Sequence, residues 1–227
     1  MKNLLPLLSL LLLISCVSEG EQASLDNVAN FYHTKASYSK GMRTAEGKVQ
    51  KNFGVKVDAA PMIDSLNWDL VSSNIALMVY EGMSADERAS YDEIAIEKNE
   101  EDAEKTFFKT ASLASGLEQS ELFTRFSKDV LAHDFDKIVQ DLDPAYQSAE
   151  LAGNLGRFFD KITAVHGAPK DFMRTGFGVM TTDDGEQLFH YSGFLAFEDG
   201  HNQPYFVTTD MDESVDYYAG LSLQQLN

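Results

Sequence analysis

The chain has 227 residues and a formal net charge of −18, and 44% of its residues are hydrophobic. This apolar content is enough for a packed core and excludes a disordered chain. The acidic balance argues against nucleic acid as a partner, because contacts to phosphate backbones are made mainly by Lys and Arg. It also argues against adhesion to anionic lipid through surface charge.

The chain begins with a short charged segment and an apolar run over residues 4–14. A helix of this length would extend about 16 Å, roughly half of the ~30 Å hydrocarbon core of a bilayer, so the run is too short to span one. It fits the n-region and h-region of a secretory signal. The run ends next to Cys16, the single cysteine of the chain, and acidic residues follow.

The junction Leu13-Ile14-Ser15-Cys16 resembles the lipobox of bacterial lipoproteins. The resemblance implies cleavage between Ser15 and Cys16, diacylglycerol on the Cys16 thiol, and acylation of the new terminal amine. Two or three acyl chains, at ~0.8 kcal/mol per buried CH₂, would hold the protein firmly on a membrane. The alternatives are an ordinary signal peptide with a chance cysteine, or a buried helix of the fold.

The resemblance predicts a signal peptide over residues 1–15 and a lipidated tether over residues 16–26. Val17 is not the aspartate that retains lipoproteins in the inner membrane of enteric bacteria. We therefore expect a lipid-anchored protein of the bacterial cell envelope at the outer membrane, on either its periplasmic or its surface face.

Residues 27–113 are predicted to form a ββαββ unit, with one helix on an antiparallel sheet. Residues 27–41 and 48–60 alternate as the strands of a hairpin, and residues 61–82 show helical spacing. Two more strands are predicted in residues 91–113, around an acidic turn at residues 99–104. That turn could bind a cation, but we favour a charged turn that prevents sheet-to-sheet aggregation.

A second domain is predicted over residues 114–227. The S-x-x-E pattern at residues 115–118 indicates a capping box at its start. Three helices are expected, the second capped by Asp134 and the third ended by Gly167. Four antiparallel strands are expected after residue 170, with a hairpin turn at residues 184–185.

Residues 120–225 resemble the cystatin-like or nuclear-transport-factor-2-like fold. The segments that carry the resemblance are "FTRFSKDVLAHDFDKIVQDLDP", "VHGAPKDF" and the closing "AGLSL". The resemblance implies a cone in which helices pack on a curved four-stranded antiparallel sheet, often around a cavity. Members of this fold include enzymes, ligand binders and assembly modules, so the fold does not choose a function. The predicted fold class of the whole chain is α+β.

Common catalytic and metal-binding motifs are absent from the sequence, including GxGxxG, HExxH, CxxC and GxSxG. His190 is a weak catalytic candidate, as a general acid or base if it faces a cavity together with Asp210 or Asp216. A half-buried strand histidine is the simpler interpretation. His133 is expected at a helix exit, as a C-terminal dipole partner or a cap. The acidic residues 210–216 lack the spacing of an EF-hand.

We expect neither a metal nor a cofactor. The sequence predicts a membrane-anchored lipoprotein that is not an enzyme and serves as a binding or assembly module, with an envelope protein as its possible partner. The alternative is a small-molecule enzyme or ligand binder that uses the cavity of the C-terminal domain.

Overall fold

The computed structural model describes residues 17–223, so the predicted signal peptide, its cleavage site and Cys16 lie outside the described residues. The predicted α+β class is confirmed: helices pack against two four-stranded sheets. The first half contains α1 (Glu19–Tyr32), β1 (Ala36–Ala45), β2 (Lys48–Val57), α2 (Pro61–Ser65), α3 (Trp68–Gly82), α4 (Ala85–Ala89), β3 (Glu93–Lys98) and β4 (Thr106–Lys109). The second half contains α5 (Thr110–Leu131), α6 (Phe135–Gln140), α7 (Leu151–His166), β5 (Pro169–Thr181), β6 (Gln187–Phe197), β7 (Asn202–Asp210) and β8 (Tyr218–Leu223).

The chain enters the fold as a helix where the sequence analysis expects a tether and a strand. Ser18 caps α1, and Glu21 completes a capping box by accepting a hydrogen bond from the Ser18 backbone N–H. Leu25, Val28 and Tyr32 follow at helical spacing and are buried. Residues 19–32 are therefore helical and β1 begins only at residue 36, because a capped amphipathic turn is more stable than an extended one.

The first sheet has the order β1-β2-β3-β4 and is mixed rather than antiparallel. β2 and β3 run parallel, with Phe53 opposite Ile94. Parallel neighbours need a crossover connection, and α3 supplies it. The β1–β2 hairpin turns at Glu46 and Gly47, which both have positive φ.

The second sheet is an antiparallel meander in the order β5-β6-β7-β8. The predicted turn at Gly185 lies between β5 and β6, and Asp134 caps α6 as expected. On the face that packs against α5, the Phe123 ring stacks on the Tyr205 ring at 5.2 Å between centroids. Aromatic side chains thus fill the space between this sheet and α5.

α5 starts at Thr110, so the S-x-x-E pattern at residues 115–118 lies inside the helix. Leu113, one turn earlier, is fully buried and extends the apolar face. Gly116 is also buried, and a Cβ there would lie 2.4 Å from the Phe177 ring. The domain start predicted at residue 114 therefore falls within a helix that contacts elements of both sheets.

α3 connects the two sheets. It packs against β3 and along the free edge of β5, where the Ser73 hydroxyl donates to the Phe177 carbonyl. The side-chain amide of Asn74 donates through Nδ2 to the Arg174 carbonyl at 3.2 Å. The buried apolar residues of both halves form one contiguous core. Within residues 17–223, no helix is both long and apolar enough to cross a membrane.

Candidate functional site

The structure describes the chain from the residue that directly follows the predicted lipid attachment site. Val17 precedes Ser18, and the Ser18 hydroxyl already donates a hydrogen bond to Glu87 of α4. We call the set of side chains around this contact the N-terminal clamp; its members are Ser18, Glu21, Lys40, Glu87 and Tyr91.

Glu87 of α4 connects the starts of two helices. One carboxylate oxygen accepts a hydrogen bond from the Ser18 hydroxyl, at the start of α1. The other accepts from the Ser84 backbone N–H at 2.6 Å, at the start of α4. These hydrogen bonds favour the charged carboxylate and lower the pKa of Glu87 to about 2. Since both helix N-termini also attract negative charge, Glu87 is an ionised link between α1 and α4.

Glu21 is the buried member of the clamp, with 2% of its surface exposed. Lys40 of β1 lies 2.9 Å from its carboxylate, and the Tyr91 hydroxyl donates to it at 2.5 Å. Burial alone would raise the pKa of Glu21, but the hydrogen bonds from Lys40, Tyr91 and the Ser18 backbone lower it overall. The first turn of α1 is thus fixed to β1 and to the loop between α4 and β3.

A groove of about 980 Å³ runs along α5, opposite the end of α3, Arg88 of α4 and Arg174 of β5, and we call it the α4–α5 groove. Its charged lining includes Arg88 and Arg174 on one side, and Glu118, Glu121, Lys128 and Asp129 on α5. Arg88 donates to the Tyr80 carbonyl at 2.8 Å, whereas Arg174 contacts the Glu81 carboxylate at 3.2 Å. Burial raises the pKa of Asp129. The groove therefore offers charges of both signs to a polar partner.

His190 lies on the face of the second sheet that points away from Tyr191 and the aromatic core. Its cross-strand neighbours are Gly178 and Thr208, and its ring lies 4.9 Å from the Phe206 ring. Burial lowers the pKa of His190. Among the described residues it has no hydrogen-bond or ion-pair partner.

The carboxylates suggested as partners of His190 have other contacts. Asp216 pairs with Arg125 at 2.9 Å, and Asp210 accepts a hydrogen bond from the Asp212 backbone at 2.8 Å. The structure thus does not join His190 to a carboxylate. His133 follows α5 with φ at 57°, at the helix exit where the sequence analysis expects a cap. No group of three or more potential ligands in the described chain is arranged to hold a metal ion.

Sequence reasoning missed a group of side chains that contains two histidines. We call it the histidine cluster; its members are His166, Asp199 and His201. The two imidazole rings stack with centroids 3.8 Å apart, and His166 Nδ1 lies 2.9 Å from the Asp199 carboxylate. The hydrogen bond with His166 lowers the pKa of Asp199. The only sequence signal was the turn after β6, which brings residues 199–201 back beside the end of α7.

The comparisons with known proteins add no relative from which a site could be transferred. No protein-family model, no curated protein and no solved structure matches the chain.

Proposed function

We propose that this chain is a lipid-anchored protein of the bacterial cell envelope, attached through Cys16 at the outer membrane. The observation that carries the proposal is the junction Leu13-Ile14-Ser15-Cys16, directly after an apolar run too short to span a bilayer. The position of the folded body supports it, because helical structure begins at Glu19. A lipid on Cys16 would leave the globular part intact.

Labelling of the cysteine tests the anchor. In cells fed radioactive palmitate, the wild-type protein is expected to carry the label and to sediment with membranes, whereas Cys16→Ser should do neither. Val17→Ala is the matched control and should behave as wild type. Mass spectrometry of the tryptic peptide that spans residues 16–35 would identify the acyl chains. Unchanged labelling of Cys16→Ser contradicts the proposal.

We propose further that the anchored body is a binding or assembly module rather than an enzyme, with an envelope protein as its partner. The α4–α5 groove supports this role. Glu121 and Lys128 are exposed on the groove side of α5, so a partner could reach both charges. The carboxylates of Asp210 and Asp216 have other contacts, which disfavours the alternative of an enzyme that pairs either of them with His190.

A charge swap tests the groove as the binding surface. Glu121→Lys combined with Lys128→Glu reverses two charges without changing the net charge. The control swap is Asp160→Lys with Lys161→Glu, on the exposed surface of α7. We expect wild type and the control to recover the same partner from detergent-solubilised envelope, and the groove swap to lose it. Equal recovery by both swaps would exclude the groove.

A further inference from the structure

We infer that the mature protein stands directly on the bilayer, with the start of α1 and with α4 at the level of the lipid headgroups, and that it has no free tether. This inference rests on the proposed lipidation of Cys16. It extends the proposal from attachment to orientation, since it specifies which surface of the fold meets the lipid.

The first step is the length of chain between lipid and fold. Consecutive Cα atoms are 3.8 Å apart, so the Cα atom of Ser18 lies at most about 8 Å from that of Cys16. The headgroup layer on one side of a bilayer is about 5–7 Å thick. Acyl chains on Cys16 must enter the hydrocarbon, so Ser18 is held at or just above the headgroups.

The second step is that Ser18 cannot swing away from the fold as a tether residue would. Its hydroxyl donates to Glu87, and its backbone N–H donates to Glu21 at 2.9 Å. Glu21 is in turn held by Lys40 and Tyr91. Because Glu87 also accepts a hydrogen bond from the Ser84 backbone N–H, the start of α4 lies beside Ser18 and thus close to the headgroups.

The third step concerns the direction of α1. Helices that lie flat on membranes present apolar and basic side chains to the lipid. The exposed stripe of α1 has neither large apolar nor basic residues, and consists of Glu19, Gln22, Ala23, Asp26, Asn27 and Asn30. α1 therefore points away from the bilayer. Its 14 residues place its C-terminal end about 20 Å farther from the headgroups than its start.

The charge of the contact surface defines the lipid that it fits. Glu19 at the start of α1 and Asp86 and Glu87 on α4 are acidic, whereas Arg88 of α4 donates to the Tyr80 carbonyl and lines the α4–α5 groove. Anionic headgroups would repel this surface. The fitting partner is a zwitterionic lipid surface, with the acyl chains of Cys16 providing the attachment.

The inference can be tested by fluorescence quenching on vesicles, since a lipidated Cys16 leaves the mature protein without a free thiol. Single cysteines introduced as Ala85→Cys on α4 or Lys35→Cys beyond the far end of α1 would each carry a fluorophore; both positions are exposed. The full-length lipidated protein is reconstituted into phosphatidylcholine vesicles with a fraction of lipid bearing a headgroup nitroxide. The label at residue 85 should lose most of its fluorescence, whereas the label at residue 35 should keep most of it.

A linker insertion provides the matched control. Ten Gly and Ser residues inserted after Val17 add a flexible segment of about 17 Å, which should restore the fluorescence at residue 85. Equal quenching at the two positions, or quenching unaffected by the insertion, overturns the orientation while the protein still floats with the vesicles. Failure of the protein to float with the vesicles overturns the anchor itself, and the inference with it.

Discussion

Asn74 is a fully buried amide that joins three elements. From α3, its Nδ2 donates to the Tyr32 hydroxyl of α1 at 3.0 Å and to the Arg174 carbonyl of β5. Its Oδ1 accepts from Arg174 Nε at 3.1 Å. Burial raises the pKa of Tyr32 to about 12, so that hydroxyl stays protonated. A buried amide in this position stabilises the fold by providing hydrogen-bond partners to other buried polar groups, and not by packing alone.

Replacement of this amide should therefore be costly. Asn74→Leu leaves buried groups of Tyr32 and Arg174 without a partner, and we expect the free energy of unfolding to fall by about 1–3 kcal/mol. Urea denaturation followed by circular dichroism measures the change. Asn30→Leu, at an exposed position of α1, is the control and should have little effect. Similar losses in the two variants would argue that the network contributes nothing.

At the scale of elements, the link between α1 and α4 makes stability depend on pH. The pKa of Glu87 falls from 4.5 to about 2 on folding. A carboxyl group with a lowered folded-state pKa stabilises the fold above its unfolded-state pKa. That contribution is fully present above pH 4.5 and disappears as the pH falls towards about 2.

The Glu87→Gln variant cannot titrate at this position. We expect its free energy of unfolding to be lower than that of wild type at neutral pH, and the gap to close as the pH falls through the window from 4.5 to about 2. The measurement is a series of urea titrations across that window. Glu118→Gln, at an exposed position of α5, is the control, and its free energy of unfolding should change with pH as that of wild type does. A gap that stays constant with pH would be inconsistent with the ionised link.

The elements that sequence patterns predict well are those with local causes. The turn at Gly185, with φ at 89°, and the cap at Asp134 depend on neighbouring residues, and both are found where the sequence places them. The start of α1 has a local signal too, in Ser18 and Glu21, but the acidic composition of residues 17–26 is equally typical of a tether.

Other features have no local cause and could not be predicted. The S-x-x-E pattern at residues 115–118 matches a capping box, yet α5 has already begun, because Leu113 is buried against the core. Parallel pairing of β2 with β3 is decided by where α3 packs. The same holds for the clamp and the histidine cluster, whose members come from separate elements.

At the scale of the molecule, the two sheets share one core, with α3 between them. The side chains of Val71 and Ile75 are fully buried in it. Loss of either sheet would expose apolar surface on this helix, which opposes partial unfolding. The two halves of the chain should consequently behave as one cooperative unit.

Whether the two halves unfold together can be tested by comparing a signal from each half. Trp68 is the single tryptophan and lies at the start of α3, so its fluorescence reports on the first half. Hydrogen exchange of the β6 amides reports on the second sheet. We expect the two signals to give the same midpoint and the same free energy of unfolding in urea. Two resolved midpoints would show instead that the halves unfold separately.

The contact of Ser73 and Asn74 with β5 has a consequence for fragments of this protein. A sheet-edge strand with free N–H and C=O groups is a template for pairing with other chains. These two side chains occupy such groups at Phe177 and Arg174. A fragment that begins after α3 would expose this edge, so proteolytic loss of the first half should produce a fragment that self-associates through β5.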